Sequence, residues 1–253
     1  MPTISAHPVI IAVETSSEAA SVALLRGDTV ISRASSGVRT HSQSVLPMIQ
    51  ELLAEAGITL KDCNAVAFGS GPGSFTGVRT ACGVAQGLAF GANLPVVPVV
   101  TLDAMALACH QRQGAADVLA VLDARMGEVY WAQYRFDGGA VLAEPQVVQP
   151  AVLSAPGAVQ AQGAPVFCGN GLSAYADAFA VVADGSPANV AEIMPHAEQI
   201  ARLAAIELAA GRTVTAADAQ PLYLRNKVAY TQAERRTMAE AAASVPKTPA
   251  GGA

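Results

Sequence analysis

The densest run of residues suited to chemistry is GSGPGSFTG, residues 69–77, with four glycines in nine positions. It stands where the short apolar run 65–68 gives way to a helical pattern. Glycines there let the backbone approach a ligand closely, and the N–H groups of a helix N-terminus attract an anion. Ser74 and Thr76 add hydroxyl donors. The loop is not a Walker loop, because no Gly-Lys-Ser/Thr ends it. Gly71, Gly73 and Gly77 also run GxGxxxG, where the dinucleotide fingerprint needs GxGxxG. Two readings fit the spacing equally: a loop close to a phosphate or nucleotide, and tight packing of the helix on a sheet.

A second group is Glu14, Thr15, Ser16 and Ser17, at the end of the apolar run 9–13. A carboxylate beside hydroxyls at a strand end is how sugar-kinase-like and actin-like ATPases hold phosphate and metal. Ordinary strand termination through local side-chain bonds is the stronger reading of these four residues alone. Nucleophilic catalysis finds little support. His7, His41, His110 and His196 fall in no catalytic pattern, and no GxSxG elbow is present. Metal binding finds little either, with no His pair at i, i+4 and no clustered Cys. Gly83 and Gly87 lie four apart in the helical pattern 76–90. Each costs a helix about 1 kcal/mol against Ala, so something is expected to pack close to them: the sheet beneath or another helix.

The elements that must position these groups follow from periodicity. Residues 9–13 read as a buried strand, 21–25 and 29–33 as a hairpin turning at 26–28. A helix follows, with Thr40 or Ser42 as its cap and Gly57 as its stop. Its stripe is Val45, Ile49, Leu52 and Ala56, flanked by Leu46 and Leu53, with Pro47 near the first turn. Strand 65–68, helix 76–90, a strand in LPVVPVVT and helix 101–110 complete a β-β-β-α-β-α-β-α order. The stretch 118–136 then repeats the opening at an offset of 109, with Asp123 standing where Glu14 stood. PVFCGNGLSAY reads as strand, turn and helix, and 196–211 as a long amphipathic helix. Two similar α/β lobes are the economical architecture.

Composition narrows the function classes. Of 253 residues 52% are apolar and only 14% charged, which excludes disorder for most of the chain. The uncharged runs 80–102 and 145–176 are broken by glycines and prolines, so neither reads as a membrane span. No secretory signal is expected, and the scattered Cys63, Cys82, Cys109 and Cys168 read as buried thiols rather than a disulfide framework. The net charge is −5, but from Arg212 onward six basic residues face three acidic ones. The acidic remainder is no nucleic-acid platform by itself.

Five strings carry a resemblance: IIAVETSSEAASVAL, HSQSVLPMIQELLAEAGI, AVAFGSGPGSFTGVRTACGVAQGLAFG, LDARMGEVYWA and PLYLRNKVA. From about Val9 to Ala229 the chain resembles the TsaB (YeaZ) family, partner subunits in bacterial tRNA threonylcarbamoyladenosine synthesis. The resemblance implies an α/β, two-lobed actin-like ATPase (ASKHA) fold with duplicated mixed-sheet lobes. It places a partner-binding N-terminal lobe over 1–103 and a C-terminal lobe over 104–230, and composition makes 231–253 a tail without order. It further implies a heterodimer with TsaD, joined by the small ATPase TsaE. TsaD then transfers threonylcarbamoyl from threonylcarbamoyl-adenylate to the adenosine beside the anticodon. The chain would meet tRNA indirectly, form a homodimer when alone, and be cytoplasmic.

No catalytic residue and no metal ligand of its own are implied. Thr101 and Met105 occupy the positions where TsaD carries an H-x-x-x-H metal pair, and a thioether is a poor ligand for a hard metal. This also disfavours a metalloprotease. Glu14 stands where relatives carry Asp. The implied partner interface is Leu46, Ile49, Leu53, Arg79, Gly83 and Gln86. Thr15, Ser16, Gly71, Gly73, Ser74, Thr76 and Gly77 form the nucleotide-proximal loop. The chain needs no cofactor of its own, with a nucleotide at the heterodimer junction left open. The competing reading is an actin-like ATP-binding kinase or ATPase acting alone.

Overall fold

The computed structural model describes residues 7–36, 41–137, 144–183 and 192–225. Two mixed sheets share one plan. In the first, β1 (Val9–Glu14), β2 (Ala19–Arg26), β3 (Thr29–Ser36), β4 (Ala65–Gly71) and β5 (Val96–Val100) lie in the order β3-β2-β1-β4-β5. In the second, β6 (Asp117–Asp123), β7 (Val129–Arg135), β8 (Gln146–Ser154) and β9 (Val166–Cys168) lie in the order β8-β7-β6-β9. Each opens with an antiparallel hairpin whose first strand takes a parallel neighbour on its other side. The 109-residue repeat is therefore a repeat of topology, and β1 corresponds to β6. The equivalence reaches single residues: Gly71, which ends β4, and Gly169, which follows β9, both hold φ +108°.

Strand alternation sorts the first sheet's side chains between two cores, as a period of two requires. Ile11, Val13, Val22, Leu24, Val66 and Phe68 face α1 (His41–Glu55) and α2 (Phe75–Ala92). Ile10, Ala12, Leu25, Ala67 and Val99 face the opposite way, towards α3 (Thr101–Gln113) and α6 (Ala197–Ala209). α3 is buried from Ala104 through His110 without a break, which is the pattern of a helix covered on all sides. It packs on the second sheet while α6 packs on the first, and the two helices touch. Beyond the second sheet, α4 (Gly171–Ala174) and α5 (Ala176–Ala183) flank a smaller core built on Leu119, Val121, Trp131 and Phe167. The layers thus run helix, sheet, helix, sheet, helix. Among the described residues no helix is long and apolar enough to cross a membrane.

Three expectations change. Pro47 is not in the first turn: α1 begins at His41, so Pro47 is its seventh residue. It sits on the water-facing side with Gln43, whose carbonyl loses its helical partner to the missing N–H. Ser42 is the second residue of α1 and not its cap, while the other cap candidate, Thr40, lies outside the described residues, as does the tail 231–253. The strand β8 was not expected in its proline-containing stretch. It is an edge strand, the place in a sheet where Pro150 removes no obligatory ladder bond.

Candidate functional site

The ends of β1 and β6 meet across a cleft of about 440 Å³ between the lobes. Both carry an acid that accepts a bond from the N–H two residues on. Ser16 N donates to Glu14 Oε1 at 2.5 Å, and Arg125 N to Asp123 Oδ1 at 2.7 Å. Beyond that the two acids diverge. Glu14 is fully buried, does not line the cleft, and its Oε2 has no partner. Burial pushes its pKa up, against hydrogen bonds from Ser16 and Thr15 that pull it down. A Cβ on Gly69 would stand 1.7 Å from Glu14 Oε2, so the carboxylate lies over a position that only glycine leaves open. Asp123 does line the cleft, but its carboxylate is engaged by the Arg125 guanidinium at 3.0 Å and by the Tyr175 hydroxyl at 3.1 Å.

The glycine-rich loop and the Glu14–Ser17 turn are brought together, but they fill each other. Ser74 N donates to Ser16 O at 2.7 Å, and Thr15 Oγ1 donates to Gly77 O at 2.7 Å. A Cβ on Gly77 would fall 1.9 Å from Thr15 O, and one on Gly73 would fall 2.6 Å from Ser16 Cβ. Ser74 caps α2 itself, accepting from Gly77 N at 3.4 Å. Gly71 ends β4 close by, while Thr76 is exposed on the first turn of α2. Of the two readings of this loop, close packing accounts for Gly73 and Gly77. The cleft that remains is walled by residues 16–18 and 72–75 of one lobe, and by 123–126 and Asn170 of the other.

Thr101 and Met105 are both fully buried at the head of α3, and Thr101 Oγ1 has no partner. Among the described residues no three His, Cys, Asp or Glu side chains group as a metal site.

The expected partner residues divide by exposure. Leu46 is 46% exposed on α1, and Arg79 and Gly83 are exposed on α2. A Cβ on Gly83, Gly87 or Gly91 would meet nothing within 4 Å among the described residues. The packing that those glycines permit is therefore not made by the described residues. Leu53 is half-buried against the core, and Gln86 commits its amide to Ala219 O at 2.9 Å. Ile49 is a correction: it is 2% exposed, because its stripe is the one that seals α1 to the first sheet. Sequence reasoning missed Phe90, 84% exposed and seven residues beyond Gly83 on the same face. The seven-residue spacing was the available signal. It also missed the pairing of Arg79 with aromatic rings. The guanidinium lies 3.2 Å from the Phe75 ring centre and 4.9 Å from that of Tyr223.

A family model described as TsaD, tRNA N6-adenosine threonylcarbamoyltransferase, matches residues 29–241. The Escherichia coli K12 protein named tRNA threonylcarbamoyladenosine biosynthesis protein TsaB is 42% identical over 233 residues. That match covers 87% of this chain and 96% of the relative. The Haemophilus influenzae protein of the same name is 42% identical, with 87% and 95% covered. Among solved structures, YeaZ from Pseudomonas aeruginosa matches with a TM-score of 0.76 and 37% identity, over 86% of this chain and all of that one. The chain belongs to the TsaB (YeaZ) family. The two-lobed actin-like fold, with its mixed sheets repeated, is thereby the fold of a TsaB-family protein. The family model is named for a transferase, whereas Thr101 and Met105 here belong to a sealed core.

Proposed function

We propose that the chain is a scaffolding and activating subunit. It binds TsaD, with TsaE, and is required for transfer of threonylcarbamoyl from threonylcarbamoyl-adenylate to the tRNA adenosine beside the anticodon. It performs no chemistry itself and meets tRNA indirectly, in the cytoplasm. The observation that carries this reading is the open stripe of Gly83, Gly87 and Gly91 beside exposed Phe90. Each helical glycine costs about 1 kcal/mol against Ala, and among the described residues nothing uses the space they leave. A second helix lying close against α2 uses it. Leu46, Leu53, Arg79 and Gly83 are the contacts proposed, within a partner-binding lobe 1–103. The lobe 104–230 sends α6 and the stretch after it back onto the first sheet. In the absence of TsaD, a second copy takes the same face. The test is Gly83→Leu. Loss of TsaD binding in gel filtration is expected, and an undiminished complex removes α2 from the interface.

The competing reading, an ATP-binding kinase or ATPase acting alone, draws on the interlobe cleft and its two facing turns. Against it stands Glu14, the acid of the first turn, which is sealed behind Ser16 and Gly69. Nucleotide titration of the isolated chain separates the two. Tight ATP binding with turnover would replace the scaffold reading, and weak binding without turnover agrees with it. A nucleotide held by Ser74, Thr76 and neighbouring groups at the heterodimer junction is compatible with the scaffold.

A further inference from the structure

Residues 212–225 leave α6 and cross the molecule in one direction, bonded at each stage. Val214 exchanges two backbone bonds of 2.9 Å with Val96. The buried Ala219 presents its carbonyl to α2, where Gln86 Nε2 donates at 2.9 Å and the Cys82 thiol at 3.4 Å. Leu222 N donates to Ser70 O at 2.8 Å. Tyr223 then meets Arg79 of α2. Arg225 finally reaches the other lobe. Its Nη2 donates to Arg125 O at 3.3 Å and to Glu128 Oε2 at 2.6 Å, and its Nη1 lies 3.0 Å from Met126 Sδ.

The loop it grips is strained. Arg125 and Met126 are consecutive non-glycine residues at φ 61° and 59°. Residues with side chains rarely adopt such conformations, which persist where their surroundings enforce them. The loop has two bonds of its own, Ala124 N to Glu128 O at 3.0 Å and Glu128 N to Arg125 O at 3.2 Å. It forms one wall of the cleft mouth, and Arg125 also reaches Glu18 of the facing lobe at 3.7 Å.

We infer that residues 212–225 are a strap through which α2 sets the conformation of the 124–128 loop, so that occupancy of the α2 face and the shape of the cleft mouth are linked. The link is intramolecular. Only its use by a docked protein rests on the partner-binding reading above. By reciprocity, whatever fixes the loop must equally favour the strap's hold on α2.

Hydrogen–deuterium exchange on the full chain, read in peptides spanning 122–130, tests the link without any partner. Arg225→Ala removes the grip, and exchange there is expected to rise about tenfold, as for loss of a bond of ordinary strength. Gln86→Ala acts from the far end, and a rise of about threefold at the same amides is expected. Arg79→Ala, an exposed change that frees Tyr223, should act in the same direction and serves if Gln86→Ala lowers overall stability. Gly83→Ala, on α2 but away from the strap, should leave the loop at the wild-type rate. Wild-type exchange at 122–130 in both Gln86→Ala and Arg79→Ala would overturn the link. So would an equal rise in Gly83→Ala, or no rise in Arg225→Ala.

Discussion

Glu14 and Gly69 form a pair in which one residue's length requires the other's lack of a side chain. Gly69→Ala places a methyl against Glu14 Oε2, and the expected loss is about 1–3 kcal/mol, as for overpacking. Shortening the acid withdraws it, so Glu14→Asp should recover much of the loss. Urea unfolding of the two single variants and the double measures this, and additive effects would mean that the two residues do not contact. Asp103 offers a second case. Burial, with repulsion from Glu207, raises its pKa to about 6, while the bond donated by the Tyr134 hydroxyl at 2.5 Å lowers it. The folded pKa lies above the unfolded one, so the contribution of Asp103 to stability is fully present below pH 3.8 and is lost as pH rises through about 6. Asp103→Asn keeps an acceptor for Tyr134 and removes the buried charge. It should stabilise the chain at pH 7.5 by up to about 3 kcal/mol and much less near pH 4, in chemical unfolding at both values. Neither relation was legible in the sequence. The order of residues tells which acids end strands, but not which backbone passes over them.

At the scale of elements, apolar periodicity was informative wherever one face alone is buried. Helices α1 and α2, the opening hairpin and the repeat of Glu14 by Asp123 all follow from it. It failed at β8, where Pro150 masks a strand that tolerates it only by lying at an edge. It did put Ile49 on the apolar stripe of α1, which packs on the first sheet, so counting Ile49 among the partner contacts ran against the periodicity itself. The glycines of α2 were legible as close-approach positions but not as to what approaches. Gly77 is met by the Thr15 backbone, as Gly73 just before the helix is met by Ser16, while Gly83 and Gly87 are met by none of the described residues. The α2 helix is therefore weaker than its sequence could make it. Gly83→Ala and Gly87→Ala should each raise the melting temperature of the chain by about 2–4 °C when it is diluted to the monomer. A fall in melting temperature on calorimetry would mean that these positions already pack against something.

The whole molecule is two copies of one plan joined by a shared layer, α3 on one sheet and α6 on the other. The duplication was visible in sequence because it preserves strand order and the acid at the strand end. The exchange of α6, with the strap after it, was not visible, because an amphipathic helix does not name the sheet it covers. In this arrangement part of what would serve nucleotide chemistry is turned inward, while Ser16, Ser74 and Asp123 line the cleft. Glu14 is sealed, and the glycine loop is filled by its neighbouring turn. The outward feature is the α1–α2 face. The account therefore rests on that face being used by a partner in the modification of tRNA. Reconstituted modification measures this directly, with TsaD, TsaE, threonylcarbamoyl-adenylate and tRNA, scoring threonylcarbamoyladenosine formed. Product should require the wild-type chain and fall more than about tenfold with Gly83→Leu, a change of at least about 1.4 kcal/mol in coupling, while that variant unfolds as a normal monomer. Equal product without the chain, or with Gly83→Leu in its place, would contradict the account.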